Sequence, residues 1–168
     1  MKWYRVNALL LKYFYIATGS LDRFFDVFYW PILDLLLWGF ASFFIKDLSD
    51  VNLLSMLLGG VILWIFVWRS SQDIGIFILD DFWERNLYNM FTSPIKSSEI
   101  SLSVIIFAFF RSIMTFLFVS ILGLLLYSFN IFDIGITSIG FFVLLLVMIG
   151  WAIGTFIAGL IFRFGQRI

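Results

Sequence analysis

Residues 138–162 read SIGFFVLLLVMIGWAIGTFIAGLIF, a stretch of 25 residues, Ser138 to Phe162, that contains no charged side chain. As an α-helix it rises about 37 Å, enough to cross a hydrocarbon core about 30 Å thick. Nothing in it alternates with period two, so a half-buried strand is excluded. Three further apolar stretches precede it. One starts near Ile100 and ends near Phe129 with Arg111 inside it. One runs from about Val51 to Trp68 and stops at the polar run Arg69-Ser70-Ser71-Gln72-Asp73. The first covers about Phe24 to Ile45 and admits Pro31 and Asp34.

The whole chain supports the same reading. Apolar residues make up 62% of it and charged residues 13%, against about 45–50% and about 25% in ordinary globular chains. A soluble domain of this size has too much boundary to hide that much apolar surface. Net charge is zero and the basic residues are scattered, so no basic patch recommends nucleic acid as a partner. Cysteine and histidine are both absent. Disulfides, thiolate metal sites, a cysteine nucleophile and the commonest general base are therefore excluded. No metal site and no catalytic residue is expected.

Lys2 and Arg5 before an apolar stretch resemble the start of a signal peptide, but Lys12 interrupts the stretch and Tyr13-Phe14-Tyr15-Ile16 is no small-residue cleavage site. An uncleaved signal anchor is the alternative to an amphipathic helix over residues 2–18. In that helix Lys2, Arg5 and Lys12 share one side while Trp3, Val6, Leu10, Phe14 and Ala17 face the other. Such a helix lies in the membrane interface, its basic edge toward the headgroups. The fold class is thus an all-α membrane protein, a single transmembrane domain over residues 1–168 with an interface helix and four spans.

Lys and Arg remain on the cytoplasmic side of a membrane. Lys2, Arg5, Lys12 and Arg23 precede the first span; Arg69, Arg85 and Lys96 lie between spans two and three; Arg163 and Arg167 follow span four. The two opposite loops hold only Lys46. That asymmetry places both termini and the middle loop on the cytoplasmic side, and a multi-pass membrane protein is expected.

The middle loop is long enough to do more than turn the chain. Asp80 or Asp81 can accept from free amides and start a helix; Pro94 stops it by forcing Ser93 out of the α region. Ser97 or Ser98 then caps the next helix, with Glu99 in its first turn. Over about residues 80–91, Trp83, Leu87, Met90 and Phe91 project to one side, and Asp81, Arg85 and Asn89 to the other. From spacing alone this is an interfacial helix resting on lipid, or a docking helix for a cytoplasmic partner.

The run Phe82-Trp83-Glu84-Arg85-Asn86-Leu87, followed by Ser93-Pro94 and Glu99, resembles the pattern after the second span of ABC type-2 transporter permeases. Trp30-Pro31, Asp34, Trp38-Gly39, Gly59-Gly60, Trp64, the run from Trp68 to Asp73 and the ending Ile161-Phe162-Arg163-Phe164-Gly165 extend the likeness over almost the whole chain. The resemblance implies the membrane subunit of an ATP-driven exporter, paired as a homodimer or with a second membrane polypeptide. Its coupling helix would dock on a separate ATPase through Trp83, Glu84, Arg85, Asn86, Leu87 and Asn89. ATP and Mg would be held by that ATPase, since no Gly-x-x-x-x-Gly-Lys-Ser/Thr loop occurs here. Such permeases have six spans, and the last pair is absent from this sequence, which implies a fragment, a split permease or a truncated frame. The alternative is a four-helix membrane protein that assists assembly or regulation without transporting.

Within the bilayer, Asp34 and Arg111 fall at similar depth and are expected to pair across spans one and three. Gly150, Gly154 and Ala158 stand at small-x-x-x-small spacing, which suits close helix packing.

Overall fold

The computed structural model describes residues 2–19, 21–45, 53–84, 86 and 92–164. Among these, every regular element is helical: α1 (Trp3–Gly19), α2 (Leu21–Ile45), α3 (Leu53–Trp83), α4 (Ser97–Tyr127) and α5 (Ile136–Phe164), with a short 3₁₀ turn at Ile131–Ile134 before α5. Three helices are long and apolar enough to cross a membrane: Ser55–Trp83, Ser97–Tyr127 and Ile136–Phe164. The third and fourth expected spans match α4 and α5 to within three residues at each end. The first expected span falls on α2, which carries Asp26, Pro31 and Asp34 and is not among those three.

The second expected span needs correction. It does not stop at Trp68, because α3 continues for fifteen more residues to Trp83. The polar run lies inside the helix, and Arg69, Ser70, Ser71 and Asp73 are all buried. Hydropathy reads such a run as a loop because it prices polar groups against water. Here Arg69 finds a partner on α2, Ser70 and Asp73 find partners on α4, and Ser71 bonds the Trp68 carbonyl of its own helix, which offsets the penalty for burying them. A helix starting at Asp80 is corrected for the same reason: Asp80 to Trp83 form the last turn of α3.

α3 is the central helix, with 67% of its apolar window covered by the rest of the chain against 22% for α5. Two apolar clusters are strung along it. The first joins Leu9 and Tyr13 of α1 to Ile74, Phe77, Val104, Phe107, Ala158 and Ile161. The second joins Leu35 of α2 to Leu58, Ile62, Phe66, Phe116, Val119, Ile139 and Val147. Between them lies a polar layer of Arg69, Ser70, Asp73, Arg111, Ser112 and Thr115, all buried.

Small residues let α5 approach α3 at this level. A Cβ added at Gly150 would lie 2.7 Å from Ser70 Cβ and 3.0 Å from the Val67 carbonyl oxygen, and one at Gly154 would lie 3.0 Å from the Ser71 carbonyl. Gly150, Gly154 and Ala158 are all buried, one turn apart on the face turned to α3. Close backbone approach is what drives helix association in lipid, where hydrophobicity gives no preference between helix and tail.

Candidate functional site

Acidic side chains at a helix C-terminus oppose the negative end of its dipole, yet α3 ends with Asp80 and Asp81. Each is held by a cation from an earlier helix. Lys12 of α1 bonds Asp81, and the Tyr13 hydroxyl donates to the same carboxylate at 3.1 Å. Burial, and then the Asp81 charge, push the Tyr13 phenol above its ordinary range, so it stays a protonated donor. Arg23 at the start of α2 approaches Asp80 to 2.7 Å as a charge contact without an aligned hydrogen bond.

The start of α4 is held from the same helix. Its cap is not Ser97 or Ser98, as expected, but Lys96, because the helix already begins at Ser97. Glu99 stands in the first turn and is fully buried. One carboxylate oxygen accepts from the Lys96 amide at 3.1 Å, and the other accepts from the Lys2 amide at 2.7 Å. Arg5 bonds the Pro94 carbonyl and lies 3.5 Å from Glu99. So α1 grips both ends of the segment between α3 and α4. Arg5 and Lys12 face these carboxylates rather than headgroups, while the Lys2 ammonium lies over the Tyr4 ring; the side turned away from the protein carries exposed Trp3, Tyr4, Leu11, Phe14 and Tyr15.

Deeper in the molecule, four charges alternate across three helices. Arg69 lies 2.7 Å from Asp26 and 4.0 Å from Asp73; Arg111 lies 2.8 Å from Asp73 and donates to the Arg23 carbonyl at 3.3 Å. Asp73 is 1% exposed. The Arg111 guanidinium also sits over the Phe77 ring, 5.6 Å from its centre. The expected pair of Arg111 with Asp34 is therefore wrong: Arg111 belongs to Asp73. Residue counting gives equal depths, but depth does not say which neighbour lies alongside, and hydropathy reads the run that holds Asp73 as a loop. The signal in the sequence was the Arg69-x-x-x-Asp73 spacing, which puts both on one side of a helix.

Asp34 is exposed on α2. It opens onto a groove of about 550 Å³ between α2 and α3, lined with Trp38, Gly60 and Trp64. A narrower cleft that shares Asp34 and Trp64 extends it to Trp30 and Trp68. A lone carboxylate on an apolar helix is costly wherever lipid surrounds it, so such a residue marks a function until a structural partner is found.

Of the expected docking residues, Trp83 is 55% exposed at the end of α3. Glu84 is exposed and accepts from the Asn86 side chain at 2.7 Å. Arg85, Leu87 and Asn89 lie outside the described residues. No family model, no curated protein and no solved structure matches this chain.

Proposed function

We propose that this chain is the membrane-spanning permease subunit of an ATP-driven exporter of the ABC type-2 kind, with a separate ATPase subunit docking on the segment that follows Trp83. What carries the reading, beside the resemblance of the sequence, is the attachment of both ends of that segment to α1: Lys12 holds Asp81 at one end, and Arg5 holds Pro94 and Glu99 at the other. A docking element that moved alone would transmit nothing. This one is tied by charge to α1, and through Arg23 and Asp80 to α2, so a push from below reaches three helices together.

In this reading α2, α3, α4 and α5 are the four spans, both termini face the cytoplasm of a prokaryotic cell, and α1 lies in the inner interface with Trp3, Tyr4 and Tyr15 among the headgroups. Amphipathic aromatic rings favour that level. The chain binds no nucleotide itself. ATP and Mg sit on the partner, and a homodimer or a second membrane polypeptide completes the path. Co-purification tests the docking. An ATPase with a phosphate loop is expected in a neighbouring reading frame, and it should be retained by the wild type and lost with Glu84→Lys together with Arg85→Glu. Undiminished retention by that double variant overturns the assignment.

A further inference from the structure

The geometry points to a binding site for a lipophilic organic cation in the groove between α2 and α3, with Asp34 as its counter-ion and Trp38 and Trp64 as its aromatic walls. Asp34 is the one carboxylate without a polar partner among the described side chains. Asp26, Asp73, Asp80, Asp81 and Glu99 are each held by a cation, and Glu84 and Asp133 by an asparagine. Arg69 also lines the narrower cleft, and its charge is already taken by Asp26. The groove thus presents one uncompensated negative charge.

Its walls suit a particular counter-ion. Trp30, Trp38, Trp64 and Trp68 are each between 43% and 57% exposed, so about half of every ring is free to meet a ligand. The faces of indole rings attract cations, most strongly where water is excluded. A metal ion needs several oxygen ligands, and one carboxylate among indoles does not supply them. A volume of about 550 Å³ falls in the range of drug-sized pockets, about 300–1,000 Å³. Gly60 leaves the floor open, since a Cβ there would meet nothing within 4 Å. With α2 taken as a membrane span the groove would lie within the bilayer, and the ligand would enter from the lipid, as a cation with an apolar body can.

This site rests on the preceding reading only in taking α2 as a membrane span. Binding is measured without an ATPase, so loss of docking and loss of binding are separate results. The probe is tetraphenylphosphonium, titrated by tryptophan fluorescence into the full chain in nanodiscs, with empty nanodiscs subtracted. Tetraphenylborate, of the same shape and opposite charge, is the control. Saturable binding of the phosphonium, not displaced by the borate, is expected. Asp34→Asn should weaken it at least tenfold, and Asp34→Glu should keep it within about threefold. Gly60→Leu should block it by filling the floor, while the particle elutes as the wild type does. Equal competition by the borate, wild-type affinity in Asp34→Asn, or unaltered binding in Gly60→Leu would each overturn the site. So would a wild type that binds no phosphonium and loses a subunit on Asp34→Asn in light scattering, because the groove would then be covered by a second copy.

Discussion

Replacing Asp73 with leucine removes the carboxylate that Arg69 and Arg111 share. Asp73 lies 2.8 Å from Arg111 and 4.0 Å from Arg69, and is 1% exposed. At an effective dielectric constant of about 20, those distances correspond to gross attractions of about 6 and about 4 kcal/mol. Desolvation offsets most of this, and breaking one side of a buried pair costs about 3–5 kcal/mol net. Asp73→Leu should sit at the top of that range, because it strands Arg111 and weakens Arg69. Arg111→Met should cost less, because Asp73 keeps Arg69, and Arg69 keeps Asp26 at 2.7 Å. Combining the two changes leaves an apolar contact where the pair stood and should recover about 2 kcal/mol over Asp73→Leu alone. Asp34→Asn is the internal control, with an effect under about 0.5 kcal/mol, as for a position away from packed or paired groups. Reversible unfolding in detergent micelles, followed by intrinsic fluorescence, measures all four. If the double variant loses the sum of the two single losses, Asp73 and Arg111 are not coupled and the alternating charges are not a unit.

Lys12→Glu should free α1 from the end of α3, raising amide exchange over residues 3–19 at least tenfold, and Lys12→Glu with Asp81→Lys should restore protection. Gly154→Val should cost about 1–3 kcal/mol by overpacking against α3, whereas Gly159→Ala, which meets nothing within 4 Å, should leave the unfolding midpoint unchanged. For topology, a cysteine placed at Trp83 should react with a membrane-impermeant maleimide only in opened cells, and one at Asp133 should react in intact cells; the reverse pattern would invert the orientation.

The parts of this fold that could be read directly were those where one property dominates. α4 and α5 are apolar over lengths that only a helix crossing a bilayer needs, and their limits followed from Glu99 and Arg163 at their polar ends. The continuation of α3 could not be read, because composition alone does not separate a polar group dissolved in water from one sealed against a partner. Gln72 is half-buried while its neighbours Ser71 and Asp73 are buried, Ser71 at the close approach of Gly154 on α5 and Asp73 against Arg111 on α4. Glu99 was visible as a first-turn acid, yet its partners Lys2 and Arg5 come from more than ninety residues earlier, and nothing local announces them. At the candidate site, Asp34 stood out because a charge inside an apolar span is costly. Its groove did not, since the tryptophans of α2 and α3 meet only once the two helices lie side by side.

The polar layer between the two apolar clusters also solves a problem of alignment. Greasy rods in oil can slide along one another at small cost, because one leucine meets another equally well a turn higher. The charges of Asp26, Arg69, Asp73 and Arg111 do not tolerate that shift, since moving α4 by one turn, about 5.4 Å, would carry Arg111 away from its counter-charge. They act like the teeth of a rack, fixing how far each rod stands along the next, while Gly150 and Gly154 let the rods close on them.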